Sequence, residues 1–200
     1  MKKLRLVPAL LTVMALGACE TDSLLNPLPV DEISDEIAII DVNSAQAALN
    51  GAYSSLQNLY GFDWVMWTDL LTDDVEHTGT FGSFADGDLH NFRPNMGVID
   101  GVWTDHYTGI DRVNRIILKM SSIEGMDPAE ANQILGEAHA IRALLYFNLV
   151  RAWGGVPLIL TPATSLEEAG KVSRASAGEV WTQSESDLGQ DSSRLAGANN

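Results

Sequence analysis

The apolar positions of this chain fall into a few long helical periods, separated by stretches with no period at all. The strongest period runs over residues 128–153. There Ile134, Ala138, Ile141, Leu145 and Leu149 recur three or four residues apart, as one buried stripe of an α-helix does. A second set, Leu144, Phe147, Val150 and Trp153, covers much of the remaining surface. A helix apolar on two sides has to lie between other helices, because a single partner hides only one side. Its ends are also marked. Asp127-Pro128-Ala129-Glu130 supplies a capping acceptor, a proline at the first helical position and a glutamate at the third, a capping-box-like start. Gly154 or Gly155 can take the positive φ of a C-cap, and Pro157 forbids continuation. Residues 156–160 then leave as a short extended run.

Three further helices follow from the same pattern. Asn43 or Ser44 is expected to cap a helix reaching about Tyr60, with Ala47, Ala48, Ala52, Leu56 and Leu59 inward. The small residues on that stripe permit close helix approach, and Gly61 ends it. A second long helix is predicted over 99–122, its stripe formed by Trp103, Tyr107, Ile110, Val113 or Asn114, and Ile117. Ser176-x-x-Glu179 is a capping box opening a last helix over 177–195. Residues 62–95 behave differently: aromatic, acidic and punctuated by Gly79, Gly82 and Gly87, without a sustained period. A short helix is expected over 64–71, with the rest a long loop of the kind that is functional or disordered. The expected fold is therefore all-α, four helices in two antiparallel pairs. Ala143-x(3)-Phe147 with a later proline makes the pairs TPR-like, though no strict repeat of about 34 residues is visible.

The run GEAHAIRALLYFNLVRAWGGVPLI at 136–159 resembles the signature helix of the SusD/RagB family of outer-membrane nutrient-binding lipoproteins. The likeness includes Gly136-Glu137-Ala138, Arg142-Ala143, Tyr146-Phe147, Leu149-Val150 and the exit Trp153-Gly154-Gly155-Val156-Pro157-Leu158. Three other segments agree in order: Ala48-Leu49-Asn50-Gly51-Ala52-Tyr53 with Leu56; Trp103, Tyr107, Ile110, Asn114 and Ile116; and Arg174-x-Ser176-x(2)-Glu179-Val180 followed by Asp187-Leu188. Two departures weaken the last helix. Ser184 stands where an apolar residue is usual, and Gly189 costs about 1 kcal/mol relative to alanine. The resemblance implies antiparallel helix pairs like the family's N-terminal scaffold. It covers nearly the whole chain after residue 18 but only the N-terminal portion of the family, so an incomplete domain is expected, either a fragment or a truncated relative.

The first residues change the address. Lys2, Lys3 and Arg5 precede an apolar run from Leu6 to Ala15, followed by Leu16-Gly17-Ala18-Cys19. This is a secretory leader, too short for a stable membrane anchor, ending in a lipobox. Cys19, the only cysteine in the chain, is the expected lipidation site, and each buried methylene of its acyl chains contributes about 0.8 kcal/mol to anchoring. The organisation read here is a lipoprotein signal peptide over 1–18, a lipidated tether and lead-in over 19–43, and the helical domain over 44–196. Glu20 follows the cysteine, where an inner-membrane retention signal would place aspartate; export to the outer membrane, facing the cell exterior, is expected. Loss of the leader removes Lys2, Lys3 and Arg5 and no acid, moving the net charge from −15 to −18. That leaves no basic patch for nucleic acid or an anionic lipid surface.

Motifs for catalysis are missing from the sequence: there is no HExxH, CxxC, G-x-S-x-G or P-loop. No cofactor and no metal is expected, and the scattered histidines (His77, His90, His106, His139) read as helix-surface or loop residues. Ligand contacts are expected in 62–95. Aromatic faces cover the C–H side of a sugar ring while carboxylates grip its hydroxyls, and this segment holds Trp64, Trp67, Asp69, Asp73, Asp74, Phe81, Phe84 and His90. The plainer alternative is that the tryptophans plug the core and the acids are solvated. Trp103, Tyr107 and Trp153 are read as core. Arg142, mid-helix among apolar residues, requires a partner, either Glu137 or an acid of another helix. The resemblance implies a non-catalytic surface protein that binds a glycan or peptide and delivers it to a SusC-like TonB-dependent barrel. Two other readings are a helical envelope adaptor with no nutrient ligand, and a glycosidase using Asp73 with a second carboxylate.

Overall fold

The computed structural model describes residues 38–93, 95–162 and 170–198, and side chains as far as residue 190. The expected leader, Cys19 and most of the tether lie outside the described residues. Six helices are described: α1 (Val42–Gly61), α2 (Asp63–Asp69), α3 (Gly82–Asp88), α4 (Gly97–Met120), α5 (Pro128–Trp153) and α6 (Ala177–Ala198). No described helix is long and apolar enough to cross a membrane.

The cap of α1 is Asp41, two or three residues before the expected one. Its Oδ1 accepts from the Ser44 N–H at 2.7 Å, and the Ser44 hydroxyl accepts from the Asp41 N–H at 2.9 Å. A serine at the third position thus closes the box as a glutamate would. The stripe turns accordingly: Ala45, Leu49, Ala52, Ser55 and Leu59 are buried, whereas Ala47 is exposed. α5 has the bounds its pattern predicts. Asp127 Oδ1 accepts from the Ala129 N–H at 2.8 Å, while Glu130 adds a favourable charge to the first turn rather than closing a box. Gly154, at φ +72°, is the C-cap residue. Gly155 is required for a different reason. A Cβ there would stand 2.2 Å from the Ala175 carbonyl oxygen, because the chain entering α6 crosses at that point, pairing as an isolated bridge between Pro157 and Arg174. Arg174 Nη2 donates to the Trp153 carbonyl at 2.8 Å, satisfying a C-terminal carbonyl of α5.

Contacts between helices give their directions. From α5 to α6, Arg142 meets Asp187, Ala143 meets Ser184 and Phe147 meets Trp181, so the two run antiparallel. Gly109 and Asn114 of α4 meet Leu145 and Arg142 of α5, and Ser55 and Gly51 of α1 meet Gly109 and Arg112. Both of those pairs are antiparallel too, which gives the two pairs the pattern predicts. The core lies where α1, α4 and α5 converge, with Leu49, Leu59, Val102, Ile110, Val113, Ile116, Ile141, Leu145, Tyr146 and Leu149 all buried.

Polar locks fix the register of this core. Arg142 forms a bidentate pair with Asp187, Nε to Oδ2 at 2.9 Å and Nη2 to Oδ1 at 2.7 Å, and donates through Nη1 to Asn114 Oδ1 at 2.8 Å. His139 donates from Nδ1 to Asp187 Oδ1 at 2.8 Å. The partner sought for Arg142 is therefore Asp187; Glu137 instead accepts from the Tyr53 hydroxyl at 2.9 Å. Burial alone would raise the Asp187 pKa, but hydrogen bonds from His139 and Arg142 and the guanidinium charge outweigh it and hold it at about 2. Ser184 repays its place on the inner side of α6 by donating to the Ala143 carbonyl at 2.8 Å. Gly189 faces open space. The extended run 156–160 is held by side chains of α4 and α5: Tyr107 donates to the Pro157 carbonyl at 2.8 Å and Asn114 to the Ile159 carbonyl at 2.8 Å. The Tyr146 hydroxyl donates to the same Ile159 carbonyl at 2.9 Å and accepts from its N–H at 2.7 Å.

Candidate functional site: two aromatic clefts beside the helical frame

The segment expected to be mostly loop carries a second helix. α3 (Gly82–Asp88) has no side-chain cap and two glycines, so nothing in its own pattern announces it; it is held by aromatic contacts. Phe84 is buried, with ring centroids 4.8 Å from Phe81 and 5.5 Å from Phe62. Together with Asp63, Ser83, Gly97 and Val98, these rings line a cleft of about 390 Å³.

A larger cleft, about 470 Å³, lies between α2 and the end of α5. Its walls are Trp64, Trp67, Phe92 and Trp153, with Thr68, Leu71, Ile99, Arg151 and Ala152 completing the lining. Trp64 and Trp67 are only 6% and 8% exposed. They therefore offer edges to the cleft while most of each ring supports the core, as the plainer alternative expects. Trp67 packs edge-on to Phe92 at 4.9 Å, and Trp153 packs edge-on to Trp103 at 5.3 Å. Behind this wall His106 is fully buried, its ring 5.0 Å from Trp64. Its Nδ1 lies 2.6 Å from the Val102 carbonyl, which requires Nδ1 to carry the proton. Burial outweighs that bond and lowers the His106 pKa to about 4, so the ring is neutral at neutral pH. Its Nε2 has no partner among the described residues.

The remaining expected site residues divide. Phe81 and Phe84 line the smaller cleft and Trp64 and Trp67 the larger, whereas Asp69, Asp73 and Asp74 line neither. Asp73 and Asp74 are exposed in a turn where the Asp74 N–H donates to Thr72 Oγ1 at 3.2 Å. His90 is exposed at φ +54° just after α3. His106 and His139 are buried and correct the expectation of surface histidines: one backs an aromatic wall and the other completes an ion pair. Sequence reasoning missed Phe92, Arg151 and the cleft-facing role of Trp153. The single local signal was Arg151 four residues after Phe147, a spacing that places the guanidinium carbon 4.9 Å from the Phe147 ring centre. Among the described residues no group of three histidine, cysteine or carboxylate side chains is placed to hold a metal.

Comparison with known proteins adds the lineage. Residues 31–198 match the model of a SusD-like family described as starch-binding and associating with the outer membrane. A SusD-like protein of Formosa agariphila is 32% identical over 172 residues, 86% of this chain and 33% of the relative. A second from the same organism is 25% identical over 185 residues, 90% of this chain and 36% of the relative. The chain thus spans about a third of the curated relatives it matches. Among solved structures, a SusD superfamily protein of Bacteroides vulgatus superposes with a TM-score of 0.71 at 23% identity, over 76% of this chain and 34% of the other. A laminarin-binding SusD-like protein superposes with a TM-score of 0.69 at 26% identity, over 78% and 34%. By its matched residues and its helical frame, the chain belongs to the SusD-like family.

Proposed function

We propose that this chain is the N-terminal scaffold of a non-catalytic, cell-surface lipoprotein that binds a glycan or peptide and delivers it to a SusC-like TonB-dependent barrel. In this reading the leader ends at Ala18, acylation of Cys19 anchors the protein to the outer membrane, and residues 19–43 tether the helical domain. The observation that carries the ligand side of the proposal is the larger cleft. Phe92, the most open of its rings, and the half-buried Trp153 suit the C–H faces of sugar rings above a floor made by the edges of Trp64 and Trp67, in a chain whose family is described as starch-binding. The laminarin-binding neighbour supports a carbohydrate over a peptide. Asp73 lies exposed in a turn, a poor position for an acid that must be fixed across a cleft, so the glycosidase reading has no geometry to build on.

Calorimetry of the purified chain against a panel of glycans and peptides tests this. Binding weakened at least tenfold by Trp67→Ala, with the helical circular dichroism signal retained, is the expected result. Unchanged affinity in Trp64→Ala and Trp67→Ala would place the site elsewhere, and no binding at all would favour the adaptor. Fatty-acid labelling that persists in Cys19→Ser would remove the anchor from the scheme.

A further inference from the structure

We infer that the smaller cleft seats the protonated amine of an amino sugar, held by the rings of Phe62, Phe81 and Phe84 and matched in charge by Asp63. This rests on the glycan reading above and adds to it a second subsite with its own substrate class.

Phe62 and Phe81 are 53% and 58% exposed, more than any other phenylalanine among the described residues. Both touch buried Phe84, at interplanar angles of 57° and 60°. The three rings are thus inclined to one another around a concave space, and the electron-rich face of each attracts a cation. Rings also suit a neutral sugar, so they do not by themselves choose a charge. Asp63 is the one charged residue in the lining. An acid in the first turn of α2 suits the helix dipole with or without a ligand, and many acids of this chain stand unpaired on its surface. Asp63 differs from those in its surroundings. It is half-buried beside the rings, and half-buried Asp105 lies within reach of its field. The Asp105 pKa is raised by burial and then by the Asp63 charge. Neither carboxylate has an ion-pair partner among the described residues. Gly97 and Val98 bring the positive end of α4 to the cleft, but Asp100 in its first turn offsets that. An ammonium set against the ring faces and Asp63 gains both attractions and relieves the repulsion between the two acids. A glycan carries this charge as an amino sugar, and N-acetylation removes it.

The net charge of −15 draws in any cation at long range, so the test has to separate the cleft from that general field. Calorimetry on the purified chain, under mildly acidic conditions that protonate the amine, compares glucosamine oligosaccharides with their N-acetylated counterparts, neutral cellooligosaccharides and oligolysine of matched charge. The free amine is expected to bind roughly tenfold more tightly than the N-acetylated sugar, the size of a charged hydrogen bond aided by ring faces. Asp63→Asn is expected to abolish that ratio and Phe81→Leu to reduce it severalfold, with thermal midpoints showing that both variants fold. Asp73→Asn with Asp74→Asn, which changes net charge away from the cleft, is expected to leave the ratio intact. Equal binding of the N-acetylated sugar, a ratio that survives Asp63→Asn, or one lost equally in the Asp73 and Asp74 variant would overturn the assignment and leave the glycan reading standing. Tighter binding of oligolysine than of the amino sugar would give the cleft to a peptide and overturn it too. Failure of every glycan to bind would overturn both.

Discussion

The helical frame of α1, α4, α5 and α6 and the inserted segment 62–96 are held by different forces. In the frame, apolar packing is overlaid by directional bonds that cross between helices: Arg142 to Asp187 and Asn114, Ser184 to Ala143, Tyr107 and Tyr146 to the extended run. Each of these fails if a helix slides by one residue, so they set register as well as stability. The insert has mainly rings on rings, with Phe62, Phe81, Phe84, Trp67 and Phe92 in edge or tilted contact and an exposed pair between Arg93 and Asp86. Aromatic contacts tolerate offset and tilt. The frame is thus pinned in register by directional bonds, while the segment docks on it through buried Trp64 and ring contacts that tolerate offset.

The sharpest way to break this contrast is to unpair the frame. Arg142→Leu leaves buried Asp187 with the His139 hydrogen bond but without its guanidinium, and should cost up to about 3–5 kcal/mol in urea unfolding. The double variant Arg142→Leu with Asp187→Leu should recover much of that loss, whereas simple additivity would mean the two do not act as a pair. Next in size is an acid effect at the junction of frame and insert. His106 has its pKa depressed to about 4 in the fold, so unfolding takes up a proton below the ordinary value near 6.5. Its contribution is full above pH 6.5 and declines as pH falls toward 4, by about 3 kcal/mol in total. His106→Gln should flatten that part of the stability curve. Asp187, held at about 2, should then govern a second loss between about pH 4 and pH 2. Tyr146→Phe removes both bonds to Ile159 and should cost about 1–3 kcal/mol. The smallest effect is expected in the insert's acidic turn. Asp73→Asn with Asp74→Asn should stay within about 0.5 kcal/mol and leave glycan affinity unchanged, and a tenfold loss of affinity would restore those acids to the site.

The frame was largely legible from sequence because its signals are local. α5 declares both ends through Asp127-Pro128 and Gly154, and α6 its start through Ser176 and Glu179. α1 starts two or three residues before its pattern suggests because its box uses serine where glutamate is usual. α3 was illegible for a different reason. A seven-residue helix with Gly82 and Gly87 is not stable by itself and exists through Phe62 and Phe84 packing against each other. The same limit applies to the site. Trp64 and Trp67 stand out in any aromatic scan, but Arg151 and Trp153 reach the cleft only because α5 ends against α2. That Asp187, 45 residues from Arg142, supplies the missing charge is likewise a fact of packing, invisible to spacing.

Every bond that clasps the run 156–160 grips a main-chain carbonyl or amide: Tyr107 on Pro157, Asn114 and Tyr146 on Ile159, Arg142 on Leu160. The identities at 159 and 160 are therefore free to drift under selection while the path they follow stays put. At those two positions the side chain is cargo on a fixed rail, and the helices beneath need not register its exchange.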